Sequence, residues 1–148
     1  MIRVASFWGI VLMAAGLLAI GPLRTRTHAQ AGSKSADVER GRYLVEQVAA
    51  CYECHTPRKP NGDLEMHAWL QGATTWIRPI APIHNWAERA PAVAGLPGLT
   101  DAQAEDVLEK GIAHDGGALR PPMHIYHMNS SDAKSIVAYL RSLPQERH

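Results

Sequence analysis

Apolar residues recur at helical spacing in three stretches of this chain. In the first, Val38, Leu44, Val45 and Val48 form a stripe, and Ser35 stands where an N-cap is wanted, which predicts a helix from 36 to about 50. The second stretch opens on Thr100-Asp101-Ala102-Gln103, a capping box in which the hydroxyl covers one end and the amide reaches back. Its stripe is Ala104, Val107 and Leu108, and Gly111 is the stop, so the helix is expected over 100–111. The third follows Asn129, carries Ala133, Ile136, Val137 and Leu140 on one face, and is ended by Pro144, giving 130–143.

The pattern changes between Thr56 and Leu99. Pro57, Pro60, Pro79, Pro82, Pro91 and Pro97 interrupt it, Asn61-Gly62 marks a turn, and Trp69, Trp76 and Trp86 are spaced through it. No stretch alternates strongly enough to predict a strand. The expected fold class is therefore all-α, with three principal helices joined by long loops. A loop this long inside a compact domain needs something besides the chain to pack against.

The N-terminal end reads differently again. Arg3 precedes an uncharged apolar run from Val4 to Ile20, and Ala29-Gln30-Ala31 offers an A-x-A site before Gly32. Residues 1–31 are thus expected to be a secretory signal peptide, with one domain over 32–148. The same run is long enough to serve as an uncleaved membrane anchor, and both readings export the domain. From Gly32 onward twelve Lys or Arg face fourteen Asp or Glu, too even a balance to argue for nucleic acid or an anionic lipid surface.

The chemistry is concentrated in Cys51-Tyr52-Glu53-Cys54-His55, which reads C-x-x-C-H, the attachment pattern of a c-type haem. Two intervening residues let both sulfurs face one edge of the porphyrin, and the adjoining histidine lies under the ring as an iron ligand. A structural zinc site would need further ligands at matching spacing, and the chain has no other cysteine. A thioredoxin-like dithiol would want a strand-helix-strand setting, which the pattern around Cys51 lacks. The expected cofactor is one haem c, held by Cys51 and Cys54, with His55 on the iron. His55 should donate its other ring nitrogen to a backbone carbonyl, for which Pro57 and Pro60 are the nearby candidates.

What fills the sixth position decides function. Met123 follows Pro121-Pro122, whose fixed, extended backbone would present a thioether stiffly, and it is the first candidate for cofactor binding and iron ligation. Met128, just ahead of the Asn129 cap, is explained by a hydrophobic staple against the third helix. His114, His124 and His127 are further candidates, each accounted for as a solvated loop residue.

With these residues in view, the chain resembles a bacterial class I, monohaem cytochrome c domain of the C-x-x-C-H/Met type. Arg40-Gly41-Arg42-Tyr43-Leu44-Val45 and Cys51-Tyr52-Glu53-Cys54-His55-Thr56-Pro57 are similar to its start. Leu119-Arg120-Pro121-Pro122-Met123 and Ile136-Val137-Ala138-Tyr139-Leu140-Arg141-Ser142-Leu143 are similar to its axial-methionine loop and last helix. The resemblance spans nearly all of 36–144. It implies a crossing of first and last helices in which a glycine admits an aromatic, here Gly41 and Tyr139. Its usual proline after the methionine is replaced by His124. The Cys54-His55-Thr56-Pro57-Arg58 version with a Trp-containing loop resembles subunits that serve dehydrogenases.

These readings together imply a periplasmic electron-transfer protein, not an enzyme by itself. It would pass single electrons through a His/Met haem between a dehydrogenase and the respiratory chain. Its partners would be redox proteins, with no nucleic acid, and a membrane only if the leader is retained. The competing reading is a haem enzyme or gas sensor with an open sixth site, for which the histidines near Met123 would supply acid-base chemistry.

Overall fold

The computed structural model describes residues 23–145. The apolar leader expected at 1–31 lies largely outside them, and among the described residues no helix is long and apolar enough to cross a membrane.

Helix α1 runs Leu23–Tyr43 and continues as a π-helical turn, Leu44–Val48. It therefore starts well before the expected residue 36. Ser35 is not its N-cap: the hydroxyl donates back to the Gly32 carbonyl at 2.9 Å, an intrahelical bond that an interior serine can make. The π turn, in which Ala49 N–H reaches Leu44 O at 2.8 Å, adds a residue to one revolution and shifts the phase of the stripe. Leu44 and Val45 consequently point inward, whereas Val48, expected on the buried face, is 58% exposed.

The short helix α2, Tyr52–His55, follows at once, and a 3-10 turn occupies Met66–Ala68. Two strands of two residues each, β1 Ala73–Thr74 and β2 Arg89–Ala90, pair antiparallel with Ala73 opposite Ala90. They are too short to show a period-two pattern, which is why the sequence predicts none. Helix α3, Asp101–Lys110, begins with both halves of the Thr100/Gln103 capping box and ends on Gly111 at φ 68°. Helix α4, Ser130–Ser142, is capped by Asn129, whose side chain accepts from the Asp132 amide. The fold is thus helical with little strand, compatible with a cytochrome c fold; the short α2 makes four α-helices among the described residues.

The core lies where α1 crosses α4, with α3 against α4. Val45, Leu70, Ala133 and Ile136 are fully buried there, joined by Leu44, Ala94, Leu96, Ala104, Leu108, Val137, Tyr139 and Leu140. Gly41 makes the crossing possible: an added Cβ would collide with the Ser135 carbonyl and lie 2.8 Å from Tyr139 Cβ. The glycine–aromatic contact implied by the resemblance is present. Arg40 and Asp132 pair at 3.0 Å across the same helices, and Tyr139 donates to Glu46 at 2.7 Å. On the far side of α4, Arg141 holds the 95–99 loop by its carbonyls, donating to Gly95 at 2.7 Å and Leu96 at 3.0 Å.

Candidate haem-attachment site

The attachment turn is built by a reversal of the chain. Ala50 sits at φ 47°, a left-handed conformation that costs a non-glycine residue about 1 kcal/mol. This breaks α1 and its π turn away from α2, so Cys51 becomes the N-cap of a new helical turn. Cys54 N–H and His55 N–H both donate to Cys51 O, at 3.3 and 3.0 Å. Cys51 and Cys54 are therefore one turn apart on the same side of α2, with His55 next along. Both cysteines are free thiols and half-buried. Burial pushes the Cys51 thiol up to about 11 and raises Cys54 as well. Two reduced thiols on one edge of a turn are what thioether attachment to two vinyl groups requires.

His55 is buried, and its Nδ1 lies 2.7 Å from Pro91 O. A carbonyl can only accept, so Nδ1 carries the proton and Nε2 keeps the lone pair a metal needs. Burial lowers the His55 pKa and the Pro91 contact partly offsets this, so the ring is neutral at physiological pH. The partner is neither of the expected prolines. Pro57 O is engaged instead by Glu65 N–H at 2.8 Å. Pro91 is brought in from 36 residues away by the pairing of β1 and β2 and by a contact the sequence does not announce. Gly72 donates to His55 O at 2.8 Å. Its φ is 87°, and a Cβ there would stand 2.7 Å from Ala92 N. The missing side chain at 72 lets the segment that leaves β2 at Pro91 pass close to His55. Beside it, buried Thr56 accepts from Leu70 N–H at 3.0 Å, fixing the chain just after the ligand.

Around the cysteines the loop aromatics are held individually. Tyr52 stacks on Trp69 at 5.2 Å. Trp76 donates from its indole to Glu53 O at 2.9 Å, lies under the Arg58 guanidinium and is 57% exposed. Arg58 also pairs with Glu53.

The loop bearing Met123 reaches this turn through Tyr126. Its hydroxyl donates to Ala49 O at 3.1 Å. Burial pushes its phenol up to about 12, with the neighbouring Cys51 and Cys54 adding to the rise. Met123 itself is half-buried, three residues before Tyr126. The backbone ahead of it is not the extended presenter expected from two prolines: the Pro121–Pro122 bond is cis, and Met123 N–H closes a turn onto Arg120 O at 3.1 Å. Met128 packs against the core and donates from its amide to Leu108 O at 3.1 Å. His114, His124 and His127 are exposed; His124 meets Tyr126 edge-on at 4.9 Å.

Comparison with known proteins finds relatives among the cytochromes c. The chain is 32% identical over 118 residues to the fructose dehydrogenase cytochrome subunit of Gluconobacter japonicus, a match covering 73% of this chain and 22% of that one. It is 32% identical over 121 residues to a diheme cytochrome c-type protein of Cereibacter sphaeroides, covering 76% and 38%. It is 31% identical over 118 residues to the gluconate 2-dehydrogenase cytochrome c subunit of Pantoea cypripedii, covering 70% and 25%. No family model matches. The chain is a homologue of cytochrome c proteins. More particularly, its homologues are cytochrome c subunits of dehydrogenases and a diheme cytochrome c, and it spans well under half the length of each.

Proposed function

We propose that the chain is a c-type electron carrier of the periplasm that serves a dehydrogenase, with one haem c bound through Cys51, Cys54, His55 and Met123. The observation that carries this is the His55 tautomer. A buried neutral imidazole whose Nδ1–H is tied to Pro91 O is arranged for a metal at Nε2, next to two free thiols one turn apart. When bound, haem c would supply a one-electron iron couple.

The protein's own residues set the terms of that couple. Cys51 and Cys54 fix the position of the group by covalent bonds. The Pro91 carbonyl orients His55 and makes it a stronger donor. Met123 is the candidate for the opposite side, which would leave no open coordination position and favour the reduced state. Trp76, Glu53 and Arg58 surround the attachment turn at the protein surface, where a partner could approach for a brief, small-area encounter. The kinship with dehydrogenase subunits supports a dehydrogenase as one partner; the respiratory chain as outlet, and export by the leader read at 1–31, cleaved or retained as an anchor, belong to the proposal.

The visible spectrum of the purified protein tests this, oxidised and reduced, with and without carbon monoxide. A weak red band in the ferric form and a ferrous form that does not bind carbon monoxide are expected. Absence of the band with rapid carbon monoxide binding would point instead to an enzyme or sensor with an open site.

A further inference from the structure

Met123 lies at the middle of a segment fastened three residues before it and three residues after it. On the leading side, Arg120 donates from Nε to Asn85 O and from Nη2 to Trp86 O, both at 3.0 Å. Ala87 N–H adds a bond to Pro121 O at 2.6 Å, so residues 85–87 and 120–121 are zipped together. A planar guanidinium can grip two carbonyls at once, which a lysine cannot reproduce. On the trailing side, the Tyr126 hydroxyl reaches Ala49 O at 3.1 Å, one residue before the left-handed Ala50 that starts the attachment turn.

Between these ties the segment has one local bond, Met123 N–H to Arg120 O at 3.1 Å, and Met123 is half-buried. His124 is exposed, and Ile125 rests over Gly111 while remaining 40% exposed. The tip is thus positioned by its two ends more than by burial. The trailing tie also refers the position of Met123 directly to the cysteine turn, and the leading tie refers it to the loop that runs on into β2 and Pro91.

We infer that Arg120 and Tyr126 are positioning residues for the sixth ligand, a two-point mount that holds the Met123 thioether in place against the haem fixed by Cys51 and Cys54. This rests on the reading of Met123 as that ligand. A thioether–iron bond is weak, so the fraction of time the position stands open reports directly on how well the segment is held.

The test is the rate of carbon monoxide binding to the ferrous holoprotein, read together with the red ferric band and the thermal unfolding midpoint. Arg120→Met and Tyr126→Phe should each raise the rate about tenfold, the loss of one or two hydrogen bonds expressed as an open population. Arg120→Lys should fall between Arg120→Met and the unmodified protein. Arg141→Met, which removes an arginine with more partners than Arg120 from the far side of α4, should lower the unfolding midpoint without changing the rate. The inference is overturned if Arg120→Met and Tyr126→Phe behave like Arg141→Met, with the red band kept; the ligand reading would then survive it. A red band missing from the unmodified protein would remove both.

Discussion

Gly41 and Ser135 meet backbone to backbone, so closely that a methyl group at position 41 would overlap the Ser135 carbonyl. This contact sets the distance between α1 and α4, and Tyr139 lies against the same glycine. Gly41→Ala should therefore force the helices apart and cost about 3 kcal/mol, at the upper end for an overpacked core. Urea unfolding measures this directly. A loss within about 0.5 kcal/mol, the ordinary range for surface changes, would show that the crossing is looser than described.

Tyr139 extends that crossing into a pH dependence. Burial pushes its phenol up to about 12, and the hydrogen bond to Glu46 adds to the rise. A raised folded value means that the unfolded chain releases the proton first. The contribution to stability is then complete below the ordinary tyrosine value of 10.0 and is lost as pH rises through about 12. Tyr139→Phe should reduce that alkaline decline to the part that Tyr126, also pushed up to about 12, contributes, and cost about 1 kcal/mol near neutrality. Unfolding curves taken across the alkaline range would show an unchanged decline in the variant if another group were responsible.

Gly72 is the residue on which the His55–Pro91 bond depends. Gly72→Ala places a side chain at φ 87° and 2.7 Å from Ala92 N, costing about 2 kcal/mol. The segment at Pro91 should move off and weaken its hydrogen bond to His55. With less electron donation from the imidazole, the oxidised iron loses stabilisation and the reduction potential should rise. Redox titration of the holoprotein reads this. Destabilisation with an unaltered potential would mean that Pro91 does not tune His55.

Met123 and Met128 separate by consequence. Met123→Ala should abolish the red ferric band, lower the potential and admit carbon monoxide. Met128→Ala should leave the spectrum alone and cost about 1 kcal/mol from packing at the head of α4. Reversed outcomes would move the ligand to Met128, and unchanged spectra in both would implicate a histidine such as His124.

What the sequence revealed follows from how far each signal reaches along the chain. The Thr100/Gln103 box, the Asn129 cap and the Gly111 stop are interactions among neighbours, and each is found where its residues predict it. The π turn after Tyr43 leaves no such mark, so the spacing carries the stripe on to Val48, and Ser35, a suitable cap by type, lies inside a helix that begins earlier. The attachment turn is legible because five consecutive residues define it. Its support is not. Any residue can offer a carbonyl, so nothing in the composition of residues 85–91 marks Pro91 as the partner of His55 or Asn85 and Trp86 as partners of Arg120. Gly72 was the one readable hint, a glycine in a loop whose need for an open Cβ position appears only when β1 and β2 are brought together. Ala50 gave none, since alanine has no preference for positive φ.

Covalent attachment at Cys51 and Cys54 is the claim on which the rest depends. The chain should be produced in a host that matures c-type cytochromes, precipitated in acidified acetone, digested and weighed peptide by peptide. The haem should stay with the protein, on the peptide that holds both cysteines, and should be released from a Cys51→Ala, Cys54→Ala double variant. Haem extracted from the unmodified protein, or still covalently held by the double variant, would contradict it.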